Sequence, residues 1–146
     1  PRHVKFEKMP SDDAQLAAAW YFKYMGLAQF DRCVRLFPQD QLESLNFGQD
    51  DLNFREGRYI KEYIIHGFQT LATVEYADQK PYYDEQASRY GFKEYKVVRV
   101  DFSQRWSDKA LEQAPQWGDG TYTRDFAGGK ESGFRGKWKI FELGMM

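Results

Sequence analysis

The sequence predicts an α+β domain in which N-terminal helices pack into a strongly curved antiparallel sheet. Three observations carry this. Apolar residues repeat at three and four up to about residue 45, and β-type residues dominate from Arg58 onward. The closing stretch Gly133 to Leu143 has a two-residue period, with Phe134, Trp138 and Ile140 on one parity and Arg135, Lys137 and Lys139 on the other. Aromatic residues make up 18% of the chain, which suits a concave sheet with bulky side chains filling its interior.

Residues 1–10 read as an arm or short strand ended by Pro10. Ser11-Asp12-Asp13 supplies a capping side chain and first-turn acids suited to the helix dipole. Leu16, Ala19, Trp20, Tyr24 and Leu27 then form one apolar stripe, with Gly26 as the stop. Phe30, Cys33, Val34 and Phe37 predict a second, shorter helix ended by Pro38, and Leu42 and Leu45 predict one or two further turns. Gln49 to Gly57 reads as a polar, turn-like stretch. Arg58 to Tyr76 is long for one strand, and Gly67 is the place for a bulge. Tyr82 to Tyr90 reads as a solvated helix or loop, and Tyr95 to Phe102 as a strand with Val98, Val100 and Phe102 inward. Ser107 caps a helical turn stopped by Pro115, and Gly118-Asp119-Gly120 is a turn. Thr121 to Phe126 reads as a strand, Ala127-Gly128-Gly129 as a turn, and the final strand closes the chain.

The 146 residues suit one domain, 1–146, with a core large enough to stand without staples. Charge is balanced at 21 basic against 22 acidic residues, so counterion release does not draw the chain to nucleic acid. Cys33 is the single cysteine, which excludes an intramolecular disulfide and a cysteine-based zinc site. A reducing compartment such as the cytoplasm is therefore expected, with no membrane insertion because no apolar run reaches spanning length. A chain beginning at Pro1 fits either loss of an initiator Met or later processing.

The closing Gly136-Lys137-Trp138-Lys139-Ile140 resembles the last strand of NTF2-like domains of the SnoaL or ketosteroid-isomerase type. The opening is similar as well, with Ala17-Ala18-Ala19-Trp20 in a first helix, a glycine turn, and Phe30 to Phe37 leading into Pro38-Gln39-Asp40. The middle departs from the pattern in its Gln79 to Gly91 excursion. The resemblance implies a cystatin/NTF2-like cone, its sheet curled around the long helix, with an interior that is a ligand pocket or a plugged core. It also implies acid–base side chains projecting into the cone in enzymatic members, and a dimerising scaffold in others.

Candidates for proton transfer are Tyr21 or Tyr24 on the first helix, Asp40 after the second, and His66, which shares parity with Ile64 and Phe68. Asp101 falls on the parity opposite Val98, Val100 and Phe102, which argues against a pocket role. The histidines His3 and His66 lack paired spacing, so no metal site is expected, and the acid pairs Asp12-Asp13 and Asp50-Asp51 read as a helix start and a solvated loop. Gly128 to Gly133 lacks the phosphate-loop spacing and reads as a hairpin. Cys33 falls on an apolar helical face, where a thiol is inert.

The leading expectation is a non-catalytic binding or assembly subunit that docks a protein partner or self-associates, without a cofactor. Arg135, Lys137 and Lys139 with Trp138 form its expected docking strip. One alternative is a small isomerase, dehydratase or hydrolase acting on an apolar, ring-bearing ligand through Tyr24, Asp40 or His66. The other is single-stranded nucleic-acid binding through residues 90–106, where Tyr95 and Trp106 interleave with basic residues, a reading that Glu94 and Asp101 weaken.

Overall fold

The computed structural model describes residues 3–133 and 135–146, among which the chain forms six α-helices and a five-stranded mixed sheet. Helix α1 (Asp13–Gly26) starts at the predicted cap, where the Asp12 side chain accepts from the Gln15 backbone N–H. Thr70 donates to the other Asp12 oxygen at 2.5 Å and accepts from the Gln15 amide at 2.9 Å, tying this helix end to the sheet.

The buried face of α1 differs from the expected stripe. Ala14, Ala17, Ala18, Tyr21 and Phe22 meet the sheet, whereas Leu16 is 42% exposed. The reason is shape. The alanines let the helix axis approach the strands, and Tyr21 and Phe22 fill the wider end. Phe22 meets the Tyr63, Phe102 and Phe126 rings at centroid distances of 5.1, 4.8 and 5.5 Å. Ranking positions by side-chain hydrophobicity favours Leu16 and Trp20, and close packing favours the small residues.

The strands run in the order β1 (His3–Phe6), β2 (Ile60–Thr70), β3 (Glu94–Trp106), β4 (Gly120–Lys130) and β5 (Trp138–Leu143). The pairings β2–β3, β3–β4 and β4–β5 are antiparallel as expected, but β1 runs parallel to β2. The sheet is therefore mixed, because the intervening helices return the chain to the same end before β2 begins. It is curved and not closed. Register shifts lie between Ile60 and Glu62, between Ile65 and Gly67 as the glycine predicted, and between Ala127 and Gly128.

Between α1 and β2 lie α2 (Phe30–Cys33), α3 (Leu42–Leu45) and α4 (Phe47–Arg55). The polar stretch from Gln49 is thus largely helix. Its start is marked by Asn46 in the left-handed region at φ 56°. The Gln79 to Gly91 excursion is helix α5 (Lys80–Arg89), and it is not solvated all round. Tyr83 and Ala87 cover Leu71, Val97, Ala127 and Phe141 on the sheet face away from α1. The last helix, α6 (Asp108–Leu111), is capped by Ser107 as predicted.

Two corrections concern the chain's end. Strand β4 continues through Ala127-Gly128-Gly129, and the turn lies beyond it. Gly129 is needed there because a Cβ would fall 2.3 Å from the Phe92 ring. The final strand starts only at Trp138, so Arg135 and Lys137 sit in the connection before it; Phe134 lies outside the described residues. The β4–β5 bulge places Ile140 in the α1 core and Phe141 under α5, so both are buried and neither face of β5 is wholly wet.

Candidate functional site

A cavity of about 300 Å³ opens between the C-terminal half of α1, the start of β2 and the 115–117 loop. Its walls are rich in aromatic residues, among them Tyr21 and Phe22 from α1, Tyr63 from β2, Trp106 from the end of β3, and Trp117. Three neutral side-chain bonds from β3 hold the loop. Gln104, buried on the inner parity of β3, donates to the carbonyls of Trp117 and Gly118 at 2.9 and 3.1 Å, and the Trp106 indole donates to Trp117 O at 2.8 Å. These fix the tryptophans as cavity walls without using a charge.

Three charged side chains line this cavity: Arg58, which pairs with Glu56 at 2.9 Å, and the two without an acid–base partner among the described residues, Asp50 and Arg124. Asp50 comes from α4, on the same helical face as Phe47 and Phe54, and makes no side-chain hydrogen bond or ion pair among the described residues. Burial alone pushes its carboxyl from 3.8 up to about 6. Arg124 comes from the inward parity of β4, between Tyr122 and Phe126, and pairs in register with Val100. Its Nε donates to Gly144 O at 2.7 Å and its Nη1 reaches the Tyr21 hydroxyl at 3.5 Å.

Burial also raises the Tyr21 and Tyr63 hydroxyls, with Arg124 partly offsetting the shift in both. Cys33, fully buried, is pushed up to about 12 by burial and by the nearby Asp50 charge, which keeps it a neutral thiol. Asp50 is thus a carboxyl that burial raises in an aromatic-rich wall.

Of the residues predicted for acid–base work, Tyr21 lines this cavity, and Tyr24, Asp40 and His66 do not. Tyr24 stacks on Trp20 at 5.2 Å along the outer side of α1. Asp40 is on the surface, accepting from Arg89 at 2.6 Å and Tyr90 at 2.9 Å. His66 lies on the sheet face opposite α1, between Glu7 at 2.5 Å and Ser103 at 2.7 Å. The bulge beside it switches parity, so Ile64 pairs with outward Ser103 while Phe68 pairs with inward Val100. Asp101 faces outward as expected and accepts from Thr123 at 2.7 Å.

The expected docking strip is divided as well. Trp138 packs toward the α1 core under Lys96, whose Nζ lies 5.6 Å from its ring. Lys139 points the other way and donates to Arg35 O at 2.6 Å, while Arg135 and Lys137 are exposed in the connection. Tyr95 packs against Tyr83 on the α5 side and donates to Asp84 at 2.5 Å. Trp106 alone of the predicted binding residues reaches the cavity.

Set against known proteins, the chain matches no family model, no curated protein and no solved structure. Among the described residues no group of three or more His, Cys, Asp or Glu is placed to hold a metal ion, and no helix is long and apolar enough to cross a membrane.

Sequence reasoning missed Asp50, Arg124, Tyr63 and Trp117. Two of these left signals. Phe47, Asp50 and Phe54 fall at i, i+3 and i+7, which puts the carboxylate on the apolar side of a helix. Tyr122, Arg124 and Phe126 alternate along β4, which puts an arginine on a face that is otherwise aromatic.

Proposed function

We propose that the chain binds a small ring-bearing molecule in the α1–sheet cavity and exchanges a proton with it through Asp50. One observation carries this: an aromatic-rich cavity of about 300 Å³ holds a carboxyl raised to about 6 with no hydrogen-bond or ion-pair partner among the described residues. That size suits a ligand of one or two rings. A carboxyl near neutrality in a low-dielectric wall both accepts and returns a proton efficiently, as lyase or isomerase chemistry requires. The resemblance to NTF2-like cones is compatible with this reading, with Asp50 in the role first expected of Tyr24, Asp40 or His66.

The test has two stages. Ring-bearing ketones should perturb tryptophan emission saturably, because Trp106 and Trp117 line the cavity. In deuterium oxide the protein should then accelerate exchange at the carbon next to the carbonyl, with a rate that rises through pH 6 and is lost in Asp50→Asn. Emission that no such ligand alters would sink the reading.

A second reading, self-association with another copy of the chain, draws on a different surface. Beside the outer edge of β1, Met9 is 74% exposed and Leu16 42% exposed, next to Trp20, Val4 and Phe6 in one apolar groove. Edge pairing of β1 with a second copy would cover the groove and the strand's outer backbone groups together. Sedimentation should then give a dimer at micromolar concentration that Leu16→Glu converts to monomer; a monomeric parent protein rules this reading out.

A further inference from the structure

We infer that the cavity's ligand carries an anionic group, a carboxylate or its like, and that Arg124 reads it. The inference rests on the ligand-binding reading of the cavity and adds the substrate's charge class. Four other arginines have acids to hold them, Arg55 with Asp51, Arg58 with Glu56, Arg89 with Asp40 and Arg99 with Asp125, and Arg32, Arg35 and Arg105 are exposed to solvent. Arg124 is half-buried among rings, and its hydrogen-bond partners among the described residues, Gly144 O and the Tyr21 hydroxyl, are neutral. No carboxylate pairs with it among the described residues. A guanidinium presents five donors in a planar fork, and these two contacts leave donors on its outer nitrogens over.

Asp50 is the obvious counterion, and it does not serve as one. Both line the cavity, yet no ion pair or hydrogen bond joins them among the described residues, Arg124 being turned to Gly144 O and the Tyr21 hydroxyl, and burial raises the Asp50 carboxyl. One cavity therefore holds a cation and an acid that do not neutralise each other. A planar anion fits that gap, with its oxygens on the Arg124 fork, its ring against Trp106 and Trp117, and its far side near Asp50.

The protonation state of Asp50 then sets affinity. The charged and titratable groups facing it are Tyr21 on α1, Cys33 on α2, Tyr63 on β2, Arg124 on β4, and Arg58 and Tyr59 just before β2; β3 contributes the uncharged Phe102, Gln104 and Trp106. Tyr21, Tyr63 and the thiol stay neutral because burial raises all three. Arg58 is held by Glu56 at 2.9 Å. Loss of the Asp50 proton as pH rises through about 6 is thus the change that opposes an incoming anion.

The experiment measures binding of 2-naphthoate and its neutral amide, 2-naphthamide, by ligand-observed NMR. The acid should bind at least about tenfold more tightly than the amide at pH 5.5, the range of a charge-assisted pair. Its affinity should fall roughly fivefold by pH 7.5 while that of the amide stays level. Asp50→Asn should abolish the fall. Arg124→Gln should erase the preference for the acid, and Arg124→Lys should keep part of it, which separates lost charge from a disturbed fold. Equal binding of acid and amide to the unaltered protein overturns the inference and leaves the cavity reading standing. Binding of neither probe overturns both.

Discussion

Burial of the Asp50 carboxyl costs the fold stability wherever that group is ionised. The carboxyl is raised by burial, so between about pH 4 and pH 6 the folded state binds a proton that the unfolded state releases. Stability from this residue is therefore greatest at acid pH and falls as pH rises through about 6. Asp50→Asn removes the titration while keeping the shape. With allowance for the residue's partial exposure, the variant should be more stable at pH 7.5 by about 1–2 kcal/mol. The gain should vanish below about pH 4, where both forms are neutral. Urea unfolding at both pH values measures this, and an equal or less stable variant at pH 7.5 would mean that the carboxylate is well solvated. A stabilising change that also abolishes proton exchange is the pattern expected of a functional group held at the expense of stability.

At the scale of elements, legibility followed how far one local rule governed each segment. Strand β3 was readable because inward Val98, Val100 and Phe102 alternate without interruption, and all three are buried. The start of α1 was readable because the cap is a local interaction between Asp12 and Gln15. Strand β2 was half readable. Gly67 marked the bulge, but the consequence, a parity switch that turns His66 outward, depends on its pairing with β3. Helix α5 was unreadable as a packed element because Tyr83 and Ala87 are its only buried residues, too few to raise a periodic signal above the polar remainder. The candidate site suffered most. Its walls come from α1, α4, β2, β3, β4 and a loop, and no spacing in the chain records that convergence. What the sequence did hold was a polar residue at an apolar position in two elements, Asp50 and Arg124. Both are exceptions to a pattern and not members of a motif.

For the whole molecule, the sheet is covered on both faces at one end and opens into the cavity at the other. At one end both faces of β3 and β4 are covered, α1 lying over Val98, Val100 and Phe126 and α5 over Val97 and Ala127, all of them at most 1% exposed. At the other end α5 is absent, the outer face carries the polar set His66, Ser103 and Thr121, and the inner face opens into the cavity. Burial on two sides makes local opening costly, so amides of Val97–Val100 and Phe126–Ala127 should exchange with solvent only through global unfolding. Strand β1 has one paired neighbour and alternating exposure, and its amides should exchange much faster. A ligand in the cavity would touch α4 and the 115–117 loop without reaching the doubly covered region. Hydrogen exchange with and without 2-naphthoate should therefore show added protection at Phe47–Arg55 and around Trp117, with the centre of β3 unchanged apart from the global gain in stability. Protection confined to β1 or to α5 would place the ligand elsewhere on the molecule. Uniform exchange along β3 and β1 would show that the two-sided core does not set the order of opening.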